Sequence, residues 1–198
     1  MKSSSPRGFT LIELMTSLLV LSILFLLGLP TYRQWIINSR IRTASESIQN
    51  GLRLARGEAA QRSTYVRFQL TSTSGADWTV CLASATATGC PAGSSSTLQS
   101  FVGANGTAGV LVGASTQVTD LAAGAAKSHV VSGGMPAGIT FTALGRPSDY
   151  GNTSVVRIDV TDATPNSRRL VTTISAGGLV DMCDPQITFS ANSPQGCR

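Results

Sequence analysis

The chain has 198 residues, a formal net charge of +5 and only 13% charged side chains. That length accommodates one soluble domain beyond a membrane segment and leaves little room for two. Past residue 62, seven basic residues (Arg67, Lys127, Arg146, Arg157, Arg168, Arg169, Arg198) stand against seven acidic ones (Asp77, Asp120, Asp149, Asp159, Asp162, Asp181, Asp184). The body of the protein is therefore neutral, and its high pI gives no reason to expect an acidic partner.

Residues 1–8 carry Lys2 and Arg7 and end on Gly8; residues 9–29 form an apolar run in which Glu13 is the only ionisable side chain. A helix of about 20 apolar residues crosses the hydrocarbon core of a bilayer. A secretory signal would place its small-residue cleavage site after such a run. Here Gly8 precedes it, and Pro30, Tyr32, Arg33 and Trp35 follow it. A cut after Gly8 would leave the apolar helix in the product. A carboxylate at bilayer depth costs about 2.5–3.5 kcal/mol and usually faces a partner. Glu13 either reaches the headgroups or neutralises an amine created on Phe9, which lies four residues away, about 6 Å along a helix at about 1.5 Å per residue.

The stretch GFTLIELM, followed by a long apolar helix with Pro30 near its end, resembles the class III signal of type IV pilins and of the pseudopilins of type II secretion. The resemblance implies cleavage after Gly8 by a prepilin peptidase, methylation of the Phe9 amine, and use of Glu13 to align the subunit in a filament.

The helical pattern continues through residues 30–62. Ile41, Ala44, Ile48, Leu52, Ala55 and Ala59 recur at steps of three and four, which predicts an apolar stripe facing the domain. Glu58 and Arg62 stand at a favourable i, i+4 offset. Pro30 removes one helical hydrogen bond, so a bend at the membrane exit is expected.

From Thr64 the pattern changes to strands. TYVRFQL and DWTVCLA alternate with period two; HVVSG, GITFTALG, SVVRIDV, RRLVTTIS and GLVDMC follow between Gly, Pro, Ser and Asn turns. The fold class expected is α+β, a long N-terminal helix packed on one or two antiparallel sheets. Residues 84–128, rich in Gly, Ala, Ser and Thr, read either as short edge strands with long loops or as a mobile excursion.

The four cysteines, Cys81, Cys90, Cys183 and Cys197, lack the short paired steps of a zinc site, and His129 is the only histidine, so no metal is expected. An even count beyond a membrane segment suggests an oxidising compartment. Of the three pairings available, the two local ones are favoured, Cys81 with Cys90 and Cys183 with Cys197. The glycine-rich pieces GANGTAG and GAAKS lack the P-loop lysine step. Neither a catalytic triad nor a carboxylate pair stands out. His129 reads as a structural residue, and neither enzymatic activity nor a cofactor is expected.

A second resemblance involves LRLARGEAAQR (residues 52–62), GITFTALGRP (138–147), SAGGLVDMCDP (175–185) and SPQGC (193–197). These are similar to the GspH/FimT family, especially its FimT- and FimU-type minor pilins. The resemblance implies a minor pilin incorporated near the pilus tip that helps prime assembly. Its partners would be other minor and major pilins, prepilin peptidase, the assembly platform and inner-membrane lipid. The boundaries that follow are a removed leader at 1–8, a membrane span at 9–29, an amphipathic half-helix at 30–62 and a periplasmic β-rich domain at 63–198. Some FimT-type members bind DNA through a Gly-Arg-x-Arg motif. The matching positions here are Gly178, Leu179, Val180 and Asp181, so both arginines are missing and an acid replaces one. Arg146, Arg157, Arg168 and Arg169 remain as a weaker candidate patch for DNA. The alternative readings are thus a DNA-binding minor pilin and the H-type pseudopilin of a type II secretion system.

Overall fold

The computed structural model describes residues 8–72, 75–91, 95–103, 106–118, 121, 130–131, 135–164 and 167–197. They fall into two compact units that divide between Ile37 and Asn38. One helix, α1 (Leu11–Arg62), contributes to both. In the first unit its apolar window reaches a mean hydropathy of 2.3, enough to cross a membrane.

In the second unit, α1 presents the stripe read from its sequence: Ile41, Ala44, Ile48, Leu52, Ala55 and Ala59 are all fully buried. Ser45 joins them by donating its hydroxyl to the Ile41 carbonyl at 2.9 Å, which satisfies a polar group inside the core. The helix stops at Ser63, whose φ of 51° is left-handed, and the Thr64 amide turns back to the Ala59 carbonyl.

Among the described residues eleven strands follow: β1 (Val66–Leu70), β2 (Trp78–Leu82), β3 (Thr97–Phe101), β4 (Val110–Ser115), β5 (Val130–Val131), β6 (Met135–Pro136), β7 (Gly138–Phe141), β8 (Arg157–Asp162), β9 (Leu170–Ile174), β10 (Val180–Thr188) and β11 (Gly196–Cys197). The first sheet has the order β3-β2-β1-β7 and the second β11-β10-β9-β8-β4, while β5 pairs with β6. All pairings are antiparallel except β10 with β11, which run parallel. The parallel pair lies where the chain returns after β10 and Cys197 is bonded to Cys183.

The first sheet packs on α1 through alternate residues. Phe68 of β1 pairs with Val80 of β2 and with Ile139 of β7, and all three are fully buried. The approach is close at Gly51, where a Cβ would stand 2.8 Å from the Phe68 ring and 3.1 Å from Trp78. The Trp78 indole N–H donates to Ser47 Oγ at 3.0 Å, so the ring is fixed at its polar edge as well.

The two sheets are joined by consecutive residues. The Val155 amide donates to the Gly138 carbonyl of β7, and the Val156 amide donates to the Ser115 carbonyl of β4. The strand-like GLVDMC extends to a nine-residue β10. Residues 84–128 contribute β3 and β4, in line with the edge-strand alternative for their described part. His129 lies outside the described residues.

Candidate processing and assembly site

The chain start is built by helix capping. Thr10 precedes α1, its hydroxyl accepts the Glu13 amide at 3.3 Å, and its carbonyl accepts the Leu14 amide at 3.2 Å. Thr10-x-x-Glu13 is the capping-box spacing, a pattern local enough to be read from the sequence. A carboxylate in the first turn also meets the positive end of the helix dipole. The Thr16 and Ser17 hydroxyls both donate to the Glu13 carbonyl, at 3.0 and 2.7 Å. Gly8 and Glu13 are exposed and Phe9 is 84% exposed. A Cβ at Gly8 would meet nothing within 4 Å, so no described contact requires glycine there.

The four cysteines form two disulfides, Cys81–Cys90 and Cys183–Cys197, with Cα atoms 5.8 and 4.9 Å apart. The first closes a loop over the outer face of β1. Arg67 lies beneath that loop, 6% exposed. Its guanidinium donates to the carbonyls of Ala87 (3.1 Å) and Thr88 (2.9 Å), to the Thr140 hydroxyl (3.1 Å) and to the Gln69 amide oxygen (3.3 Å). These acceptors are neutral, and burial draws the Arg67 pKa below its usual value. Elsewhere the Asp149 carboxylate accepts the Thr153 hydroxyl, the Asn152 side-chain amide and the Thr153 backbone amide. Those bonds favour its charged form and lower its pKa.

The arginines proposed as a DNA patch are not gathered on one open face. Arg157 is 5% exposed and holds the fully buried Asp159 through two bonds of 2.8 and 3.0 Å. Arg169 reaches the same carboxylate at 2.7 Å and the Leu121 carbonyl at 2.8 Å. Arg168 pairs with Asp184 at 2.7 Å. Arg146 is exposed, and the Arg168 side chain stays partly open beside Asp184. The reason is the sheet register: Arg157 and Asp159 are two apart on one strand and share a face, so they neutralise each other.

Three of the segments behind the second resemblance meet at one point. Arg56 of α1 donates to the Gly145 carbonyl at 3.2 Å. Gly145 (φ 69°) and Gly178 (φ 76°) each close a turn in the left-handed region. A Cβ at Gly178 would collide with the Gly145 carbonyl oxygen. The motif glycine at 178 is thus demanded by backbone packing, whether or not arginines follow it. Among the described residues there is no cluster of His, Cys, Asp or Glu able to hold a metal.

The sequence matches the family described as "Prokaryotic N-terminal methylation motif" over residues 3–29. Among solved structures, the crystal structure of the type IV minor pilin FimU of Pseudomonas aeruginosa (strain PAO1) aligns with 81% of this chain and 96% of its own. The identity is 16% and the TM-score 0.51. The fold is that of a type IV pilin. A second crystal form of FimU aligns with 79% of this chain and 99% of its own, at 15% identity and a TM-score of 0.48. No curated protein matches the chain at a significant level. The first half of α1 is an apolar run that carries the methylation motif, and its second half is the buried spine of a domain.

Proposed function

We propose that the protein is a minor type IV pilin that enters the pilus at or near its tip and helps prime its assembly, in support of pilus biogenesis, twitching motility or adhesion. One observation carries this reading. An exposed Gly8 that no described contact requires, an exposed Phe9, and Glu13 four residues on stand ahead of a domain with the pilin fold. On this reading prepilin peptidase cuts after Gly8 and the Phe9 amine is methylated. The positive chain start then lies beside the Glu13 carboxylate of a neighbouring subunit, which offsets the cost of a charge among apolar helices.

The subunit waits in the inner membrane with its C-terminal domain in the periplasm, then passes to the pilus. Its partners are other minor and major pilins, the peptidase and the assembly platform, and its role is structural rather than catalytic. The description of FimU as a type IV minor pilin supports a pilus over a secretion system.

The test joins mass spectrometry of the processed N-terminus to a strain comparison. The mature chain should begin at methylated Phe9. Both a deletion strain and a Glu13→Ala strain should lose surface pili or carry fewer. A chain start elsewhere in the cell would sink the proposal. Normal piliation with failed protein secretion would reassign the subunit to a type II system, and normal piliation with failed DNA uptake would favour a DNA-binding pilin.

A further inference from the structure

Just beyond the apolar run, α1 holds two large aromatic side chains that no core residue covers among those described. Tyr32 and Trp35, one helical turn apart, stack with ring centroids 6.2 Å apart and planes inclined by 22°. They are 59% and 66% exposed. Arg33, between them in sequence, is also exposed. We infer that Tyr32, Arg33 and Trp35 form an interfacial anchor that docks in the phospholipid headgroup layer and fixes the depth of α1 in the membrane.

Distance along the helix supports that occupant. Tyr32 lies three residues past Leu29 and Trp35 six, which is about 4.5 and 9 Å at about 1.5 Å per residue. The headgroup layer adds about 5–7 Å on each side of the hydrocarbon. Helical side chains lean toward the N-terminus, so both rings reach back toward the hydrocarbon boundary. A Tyr or Trp ring at that level buries its apolar body and leaves its O–H or N–H among headgroups and water. Two exposed, mutually stacked rings are apolar surface that a water-filled environment would penalise and this layer would accept.

Charge points the same way. Between Leu29 and Ile41 the sequence has Arg33 and Arg40 and no acidic residue, which suits the phosphates of anionic lipid. The anchor also sets the other end of the span. From Tyr32 back to Glu13 is 19 residues, about 28 Å, close to the hydrocarbon thickness of about 30 Å. Holding Tyr32 at one boundary therefore holds Glu13 at the opposite boundary, with Phe9 beyond it where an enzyme can reach the chain start. The proposal rests on membrane insertion of α1 and not on assembly into a pilus, so the two can fail separately.

The test uses the full chain in vesicles of phosphatidylethanolamine and phosphatidylglycerol that carry brominated acyl chains. The protein has two tryptophans, and Trp78 is in the domain core. The difference between the wild-type and Trp35→Phe spectra therefore isolates Trp35. The expected difference emission is blue-shifted from that of tryptophan in water. It should be quenched more strongly by bromine near the headgroup than by bromine near the chain end. Unshifted, unquenched emission would place the ring in water and overturn the proposal. So would stronger quenching by the deep bromine. Shifted emission that neither bromine quenches would mean that a second protein surface covers the ring, which overturns it equally.

Discussion

Thr172 sits in β9 with its side chain fully buried and its hydroxyl without a hydrogen-bond partner among the described residues. Desolvating a hydroxyl without compensation is costly, whereas valine has the same shape and no polar atom to strand. Thr172→Val is expected to stabilise the domain by about 1 kcal/mol, read as a higher urea midpoint with an unchanged slope. A lower midpoint would mean that the hydroxyl is bonded after all. Glycine positions give a contrasting pair. At Gly178 an added methyl meets the Gly145 carbonyl with φ at 76°, so Gly178→Ala should cost about 2 kcal/mol or more. At Gly57, inside α1, a Cβ meets nothing within 4 Å, so Gly57→Ala should gain up to about 1 kcal/mol from helix propensity. Equal effects at the two sites in thermal unfolding would refute this account of the turn junction.

At the scale of the element, the C-terminal segment depends on few attachments. β11 has two residues, pairs with β10 alone and is tied to it by Cys183–Cys197. Asp184 adds to this: its amide donates to the Gln195 carbonyl at 2.7 Å, and its carboxylate accepts the Gln186 amide and Arg168. Replacing both cysteines by serine should lower stability by about 3 kcal/mol, the value of a closed loop of about 15 residues. Hydrogen exchange should rise mainly over residues 184–197. Uniform loss of protection across β8 and β9 would instead mean that the bond secures the whole second sheet. The Arg157–Asp159–Arg169 group belongs to the same sheet and is of another kind. It places two cations against one buried anion, and Arg169 also holds the Leu121 carbonyl.

For the whole molecule, the division between Ile37 and Asn38 is the relevant boundary. The strands begin past residue 63, and the buried core of the second unit includes α1 from Ile41 onward, as the apolar stripe of the half-helix leads one to expect. A chain starting at Asn38 should fold alone with a single cooperative transition. A chain starting at Ser63 should not, because Phe68, Trp78 and Val80 would lose the helix that covers them. Circular dichroism melts of the two fragments decide the matter. A cooperative transition in the shorter fragment would show that the sheets alone make the core.

Local order was legible in the residues. The apolar run with Glu13, the stripe of Ile41 to Ala59 and most of the long strands follow from period and spacing, which the backbone imposes over a few residues; the methylation motif was legible only through the resemblance of GFTLIELM to a known signal. The capping box at Thr10 was equally local and readable. β3 and β4 were harder to read, since TLQSF and VLVGAS carry small or polar residues whose strand character comes from their partners. Only the tertiary structure decided that Arg157 and Arg169 share one carboxylate, that Arg67 is clasped beneath a disulfide loop, and that Gly145 and Gly178 meet over Arg56. Those groups are brought together by sheet register and chain crossing between positions far apart in sequence, and no periodicity in one strand encodes which distant strand will lie beside it.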